Sequence, residues 1–210
     1  MRKEKELSEK EKKRLERYKE QSERLKKDGY EEHRLTINAV IGNIISIIIA
    51  LPLVAILILL YYLINKELKF EFPGLMIFYI VLAINFVVGL PVHEFIHGLT
   101  HAAFAKNGFK DVEFGIIWKA LTPYCVCLVP EKKNQYIISM LMPCIVLGIL
   151  VSVIGIFFKS SILFFSGLLQ IILTGGDFQV ILLILINKSN KKEQLFFDHP
   201  TEVGSVLFDR

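Results

Sequence analysis

"GLMIFYIVLAINFVVGLPVHEFIHGLTHA", residues 74–102, decides the fold. Its first half carries no charge and reads as hydrocarbon; with the second half it exceeds the roughly 20 helical residues that cross a membrane core of about 30 Å. Yet the second half sets His93, Glu94, His97 and His101 into the same run. Ionisable groups are expensive in hydrocarbon and mark functional sites by default.

Working outward, the rest of the 210-residue chain has the same character. Hydrophobic residues make up 53% of it and come in blocks, not in the period of a soluble fold. Four blocks are long enough to span: Asn38–Ile64, Leu75 to about Ala105, Tyr136–Phe158 and Ile162–Asn187. The first follows a long charged segment and is too long for a signal h-region, so it is expected to stay as a true span. Of the 25 Lys and Arg residues, only Lys66, Lys69 and Lys159 fall outside if both termini are cytoplasmic. The positive-inside rule selects that orientation in the cell membrane. The expected fold is an all-α polytopic membrane protein of about four transmembrane helices, with a short β-hairpin between spans two and three.

Residues 1–36 mix acidic and basic side chains, and Leu15, Tyr18, Ser22 and Leu25 follow an a/d-like spacing. They predict a charged cytoplasmic helix ending near Asp28-Gly29, solvated and serving to set topology. No basic patch with interleaved aromatics is evident, so no nucleic-acid partner is expected; the lipid bilayer is the partner the composition demands. Residues 188–210 are expected to be a cytoplasmic tail. Cys125, Cys127 and Cys144 are expected to be reduced thiols, and a C-x-C pair fits zinc-site spacing poorly, reading instead as two small side chains on one face of an extended segment.

His93, Glu94 and His97 spell H-E-x-x-H. On a helix, histidines at i and i+4 share a face about 6 Å apart and can offer one nitrogen each to a zinc ion. Glu94 leaves the helix on a different bearing, near enough to take a proton from an activated water as general base. Such a site needs a third protein ligand. His101 lies eight residues from His93, about 12 Å along the axis, too far to share the ion comfortably. Asp177 is the better candidate: the only carboxylate of span four, it precedes Lys188 by 11 residues as His97 precedes Lys106 by nine, so the two lie at one depth. Gln170, Thr174 and Asp177 form a polar stripe at i, i+4 and i+7, and Gly175 and Gly176 beside it would admit the backbone of span two. The alternative for Asp177 is a hydrogen bond to Thr or Gln that holds helices together.

Two further features complete the pattern. The stretch between spans two and three, with Gly115, Pro123 and Pro130, is extended in character and serves either as an edge for an unwound substrate or as a cap on the bundle. Pro91 and Pro143 free the carbonyls of Val87 and Ser139 and can kink spans two and three.

"HEFIHG" (93–98), "LTPYCVCLVP" (121–130) and "TGGD" (174–177) together resemble a bacterial family known as putative zincin peptidases, formerly a domain of unknown function, which is similar to the site-2 protease intramembrane metalloproteases. The resemblance covers roughly residues 75–210. It implies a Zn2+ cofactor held by His93, His97 and Asp177, catalysis by Glu94, and a membrane protein or peptide as substrate. Here Asp177 follows Gly-Gly, where site-2 proteases usually have Asn-Pro or Leu-Asp-Gly. No PDZ domain is inserted, and Val126 stands where related sequences often carry a histidine. On this reading residues 37–187 are a four-span membrane zinc peptidase domain. The rival readings are a metal transporter or sensor using His93, His97, His101 and Asp177 as a pathway, and an inactive membrane scaffold, which has no reason to keep Glu94.

Overall fold

The computed structural model describes residues 9–37, 39–67, 74–117, 122–200 and 204–210. The first eight residues of the expected N-terminal helix, Asn38 at the expected start of span one, and residues 118–121 of the extended loop lie outside them. Of the described residues, 69% are helical. In order, α1 (Glu9–Lys27), β1 (Glu31–Thr36) and α2 (Ala39–Asn65) lead to α3 (Leu75–Phe104), β2 (Val112–Ile117) and β3 (Thr122–Cys127). Then come β4 (Glu131–Lys132), α4 (Lys133–Phe157), α5 (Ser161–Leu173), α6 (Gly175–Ile186), β5 (Gln194–Asp198) and β6 (Gly204–Asp209).

Helices α2, α3 and α4 are long and apolar enough to cross a membrane, whereas α5 and α6 reach that length only together, bent by 45°. The fourth uninterrupted span expected at Ile162–Asn187 is therefore corrected to a broken pair. The break falls at Thr174, which caps α5 and precedes Gly175 and Gly176, the poorest helix formers in the segment after proline. Outward faces are apolar: Ile48 is 60%, Met76 72% and Val87 73% exposed, a surface that water would not leave uncovered. Between helices, Tyr61 packs on Phe164 with ring centroids 4.7 Å apart, around a core that includes Ala50, Leu57, Ile156 and Ile171. α4 and α5 meet closely because Gly167 has no side chain; a Cβ there would lie 2.5 Å from the Ser152 backbone nitrogen. Both α3 and α4 contain a π-helical segment, at Asn85–Gly89 and Cys144–Leu150, each adjoining its proline.

At one end of the bundle the strands form two antiparallel sheets, one of order β1-β6-β5-β4 and one of β2-β3. The expected hairpin is present, but the all-α expectation is corrected: the 188–210 tail is half of a four-stranded sheet. β1 pairs with β6 from Glu31↔Asp209 to Thr36↔Gly204. Strands β5 and β6 are buried on both faces. Phe196 and Leu207 pack against Tyr136 of α4 and Ile181 and Ile184 of α6, while Phe197, Val206 and Phe208 face α1. Alternate residues of one strand thus serve two cores, as the period of two requires.

Of the a/d-like residues of α1, Tyr18 and Leu25 line the second of these cores. Tyr18 meets Phe197 edge-on at 6.0 Å, Leu25 packs beside it, and Ser22 is buried. The helix is docked, not solvated as expected. Glu32 of β1 secures it by accepting hydrogen bonds from Tyr18 Oη at 2.9 Å and Ser22 Oγ at 3.0 Å, with Lys26 Nζ at 2.6 Å. α1 ends at the expected place, through Gly29 at φ 87, a left-handed position that glycine adopts without strain.

Candidate metal centre

The apolar periodicity of α3 is interrupted on one face by His93, His97 and His101, all buried. Each needs a polar partner from a neighbouring element, and each has one. Asp177, in the first turn of α6, reaches His93: Oδ2 lies 3.1 Å from His93 Nε2 and 3.4 Å from His97 Nε2. The two imidazoles approach each other through the same atoms, Nε2 to Nε2 at 3.2 Å. Three potential ligand atoms from two helices therefore form a nearly equilateral triangle.

The tautomer of His97 is fixed by geometry. Its Nδ1 lies 2.8 Å from the backbone carbonyl of Ser139, which can only accept, so Nδ1–H donates. The neutral ring then points the Nε2 lone pair into the triangle, as metal-ligating histidines oriented by a carbonyl do. That carbonyl is available because residue 143 is proline, whose nitrogen has no hydrogen to return to Ser139. His93 Nε2 lies within hydrogen-bond distance of both the Asp177 carboxylate and His97 Nε2, so its proton would have to move to Nδ1 for it to serve as a ligand. His93 Nδ1 is buried with no partner among the described residues.

The donor set also has the right size. Zinc bonds to imidazole nitrogen and carboxylate oxygen are about 2.0–2.2 Å, which in a tetrahedron separates donors by roughly 3.3–3.6 Å. The observed separations of 3.1, 3.2 and 3.4 Å need only slight opening. Asp177 keeps 19% of its side chain exposed, against 5% for each histidine. Glu94 is outside the triangle, half-buried on the side of α3 that packs against β3, where the backbone of Cys125 meets its carboxylate.

The expected environment of Asp177 is corrected in two respects. The stripe from Gln170 is broken at Thr174, and Gln170 turns instead to Asn85, donating from Nε2 to Oδ1 at 3.1 Å. Thr174 Oγ1 donates to the Gln170 carbonyl, so neither side chain holds the Asp177 carboxylate, although the Thr174 carbonyl accepts from the Asp177 backbone N–H at 3.0 Å. Gly175 does admit a neighbouring backbone, but it belongs to α2: Ser46 Oγ donates to the Gly175 carbonyl at 2.6 Å. Gly176 faces open space.

His101 is not part of the triangle. Its ring stacks 6.3 Å from that of His97, and its Nδ1 lies 2.7 Å from Glu131 Oε2 at the foot of α4. The C-x-C pair divides: Cys127 is buried beside His101 and Glu131, while Cys125 is half-buried. Burial pushes both thiols well above the usual range, so neither is a reactive nucleophile. Ser139 and Glu131 went unnoticed in the sequence as partners of the histidines. Pro143 was the signal for the first, and nothing local signalled the second.

His93 and His97, one helical turn apart on α3, and Asp177 from α6 form a group that could hold a metal ion. Residues 86–192, about half of the chain, match the model of a family described as "Putative zincin peptidase", and the chain belongs to that family. The name of that family implies a zinc metallopeptidase. No curated protein and no solved structure matches the chain. The matched region begins inside α3 and ends beyond α6, so it contains both sides of the triangle and the hairpin, and leaves out α1, β1, α2, β5 and β6.

Proposed function

We propose that the chain is a membrane-embedded zinc metallopeptidase that cleaves membrane-associated proteins or peptides, with His93, His97 and Asp177 as metal ligands and Glu94 as general base. The observation that carries this reading is the convergence of three donors at 3.1–3.4 Å with the His97 tautomer locked by Ser139. When bound, zinc supplies Lewis acidity, lowering the pKa of water toward about 7 and polarising the scissile carbonyl. Glu94 accepts the proton that the attacking water gives up and delivers it to the leaving amine. Asp177 balances charge at the site, and Ser139 holds His97 in register. The β2–β3 hairpin beside Glu94 offers strand edges to an unwound peptide, which fits a site-2-protease-like mode of cleavage.

The same reading includes four crossings with both termini cytoplasmic. Pairing of β1 with β6 supports it, since it brings together the segments that precede α2 and follow α6, as an even number of crossings would. Three long helices plus the bent α5–α6 pair supply four. The distribution of Lys and Arg supports the cytoplasmic side.

The test is to measure metal content and substrate fragments together in Glu94→Gln and Asp177→Ala proteins. Glu94→Gln should keep about one zinc at this site while cleavage falls about 100-fold to 10,000-fold, the usual cost of losing a general base. Asp177→Ala should lose the metal. Cleavage by Glu94→Gln at the wild-type rate would sink the hydrolytic mechanism, and undiminished zinc in Asp177→Ala would remove Asp177 from the site.

A further inference from the structure

One helical turn beyond the triangle, α3 enters a second group of ligating side chains. His101, Cys127 and Glu131 come from α3, β3 and β4, and their side chains offer ligand atoms within 4.8 Å of one another. The three residues are 0%, 5% and 2% exposed. A carboxylate and an imidazole that served only to hold elements together would be expected to find hydrogen bonds for all their buried atoms. These do not: His101 Nε2 and Glu131 Oε1 are both buried without a partner among the described residues.

The backbone beneath the cluster is braced. Asp198 Oδ2 accepts from the Cys127 backbone N–H at 2.9 Å, and Asp198 Oδ1 accepts from Tyr136 Oη at 2.6 Å. The strand that carries the thiol is therefore tied to β5 and to α4 before any ligand binds. Thiolate, imidazole and carboxylate together select a divalent cation of borderline softness, with zinc foremost. One thiolate and one carboxylate also cancel a double positive charge, so the complex would be neutral, as so dry a site demands.

We propose that His101, Cys127 and Glu131 form a second, structural metal site for a zinc-like divalent cation, clamping the β2–β3 hairpin and the foot of α4 onto the helix that carries H-E-x-x-H. It stands apart from the hydrolytic reading, because no thiol belongs to the His93–His97–Asp177 triangle. A hairpin clamped in this way holds its backbone against Glu94, and the ring of His101 against that of His97.

Cobalt(II) reports the site directly, since a thiolate ligand gives a charge-transfer band in the near ultraviolet that imidazole and carboxylate do not. The full-length, metal-free protein in detergent is titrated with Co2+ as wild type and as Cys125→Ser/Cys144→Ser, which leaves Cys127 as the sole thiol. Both should bind about two cobalt ions per chain and develop the band. Adding Asp177→Ala should remove about one ion and keep the band; adding Cys127→Ser should abolish the band. A Cys127-only protein with intact helical circular dichroism and no band overturns the proposal, as does a wild-type chain that takes up cobalt without one. If the band persists while Asp177→Ala loses no metal, the hydrolytic assignment fails and the second site stands.

Discussion

Gly175 and Gly176 are adjacent and chemically identical, yet their alanine variants should behave differently, and the difference tests whether α2 positions Asp177. A Cβ on Gly175 would lie 2.7 Å from Ser46 Cβ, whereas one on Gly176 would meet nothing within 4 Å. Carbon atoms pack at about 3.5–4.0 Å, so relief at Gly175 takes a shift of roughly 0.8 Å or more. Ser46 Cβ is fixed to the α2 backbone and cannot swing aside, and the Ser46 Oγ bond to the Gly175 carbonyl opposes separation. Overpacking of this kind costs about 1–3 kcal/mol, partly offset by the gain of about 1 kcal/mol for alanine over glycine in a helix. Asp177 lies in the same turn. If it takes up even half of the shift, its oxygen moves by about 0.4 Å, beyond the roughly 0.2 Å that zinc ligation tolerates. Zinc affinity in Gly175→Ala should therefore fall about 10-fold to 100-fold, or about 1.4–2.7 kcal/mol. Gly176→Ala should stay within about twofold of wild type. The assay is competition between detergent-purified protein and a chelator of known zinc affinity, with thermal unfolding followed in parallel. Wild-type affinity in Gly175→Ala, or an equal loss in Gly176→Ala, would refute the argument.

Other expectations follow from particular contacts. Pro143→Ala restores an amide hydrogen that competes for the Ser139 carbonyl, so zinc affinity should drop toward the lower end of a 10-fold to 100-fold range without loss of helical content; chelator competition measures it. Gly98→Ala would drive a methyl into the Phe114 ring, 2.1 Å from the would-be Cβ, and should loosen the hairpin, seen as faster proteolysis between β2 and β3. Burial raises the pKa of Glu32, but the bonds from Lys26, Tyr18 and Ser22 outweigh it and leave the pKa below 4.5. Its stabilising contribution is thus complete above that value and lost as pH falls through the lower folded value. Glu32→Gln should destabilise the protein at pH 7 by about 1–3 kcal/mol, with the gap to wild type closing in strong acid, as read by thermal melts across pH.

What was legible in the sequence was what is local or energetically loud. H-E-x-x-H needs only the pitch of one helix, and Asp177 stood out because a lone carboxylate is costly in hydrocarbon. The strands were missed for a physical reason: "LFF" at 195–197 and "VLF" at 206–208 are unbroken apolar runs because β5 and β6 are buried on both faces, and a short run without alternation resembles the end of a membrane block. The docking of α1 was hidden likewise, since its spacing was visible but the partner surface, from the far end of the chain, was not. Cys127 and Glu131 gave no local sign because His101 meets them only through the fold.

These partners explain why a helix long and apolar enough to cross a membrane can carry three histidines on one face. His93, His97 and His101 recur every four residues, so the stripe drifts slowly around α3, and no single neighbouring helix could answer all of it. α6 supplies Asp177 to the first, the proline-freed carbonyl of α4 serves the second, and β4 and β3 close around the third. The break at Thr174 fits the same demand. A straight helix through residues 161–186 would carry Asp177 on the face set by Gln170, which belongs to Asn85; the 45° bend lets the α5–α6 pair give Gln170 to the π segment of α3 and Asp177 to its histidines. Filling the bend, for example by alanine at both Gly175 and Gly176, should thus disturb the Asp177 contact before it disturbs the Gln170–Asn85 pair.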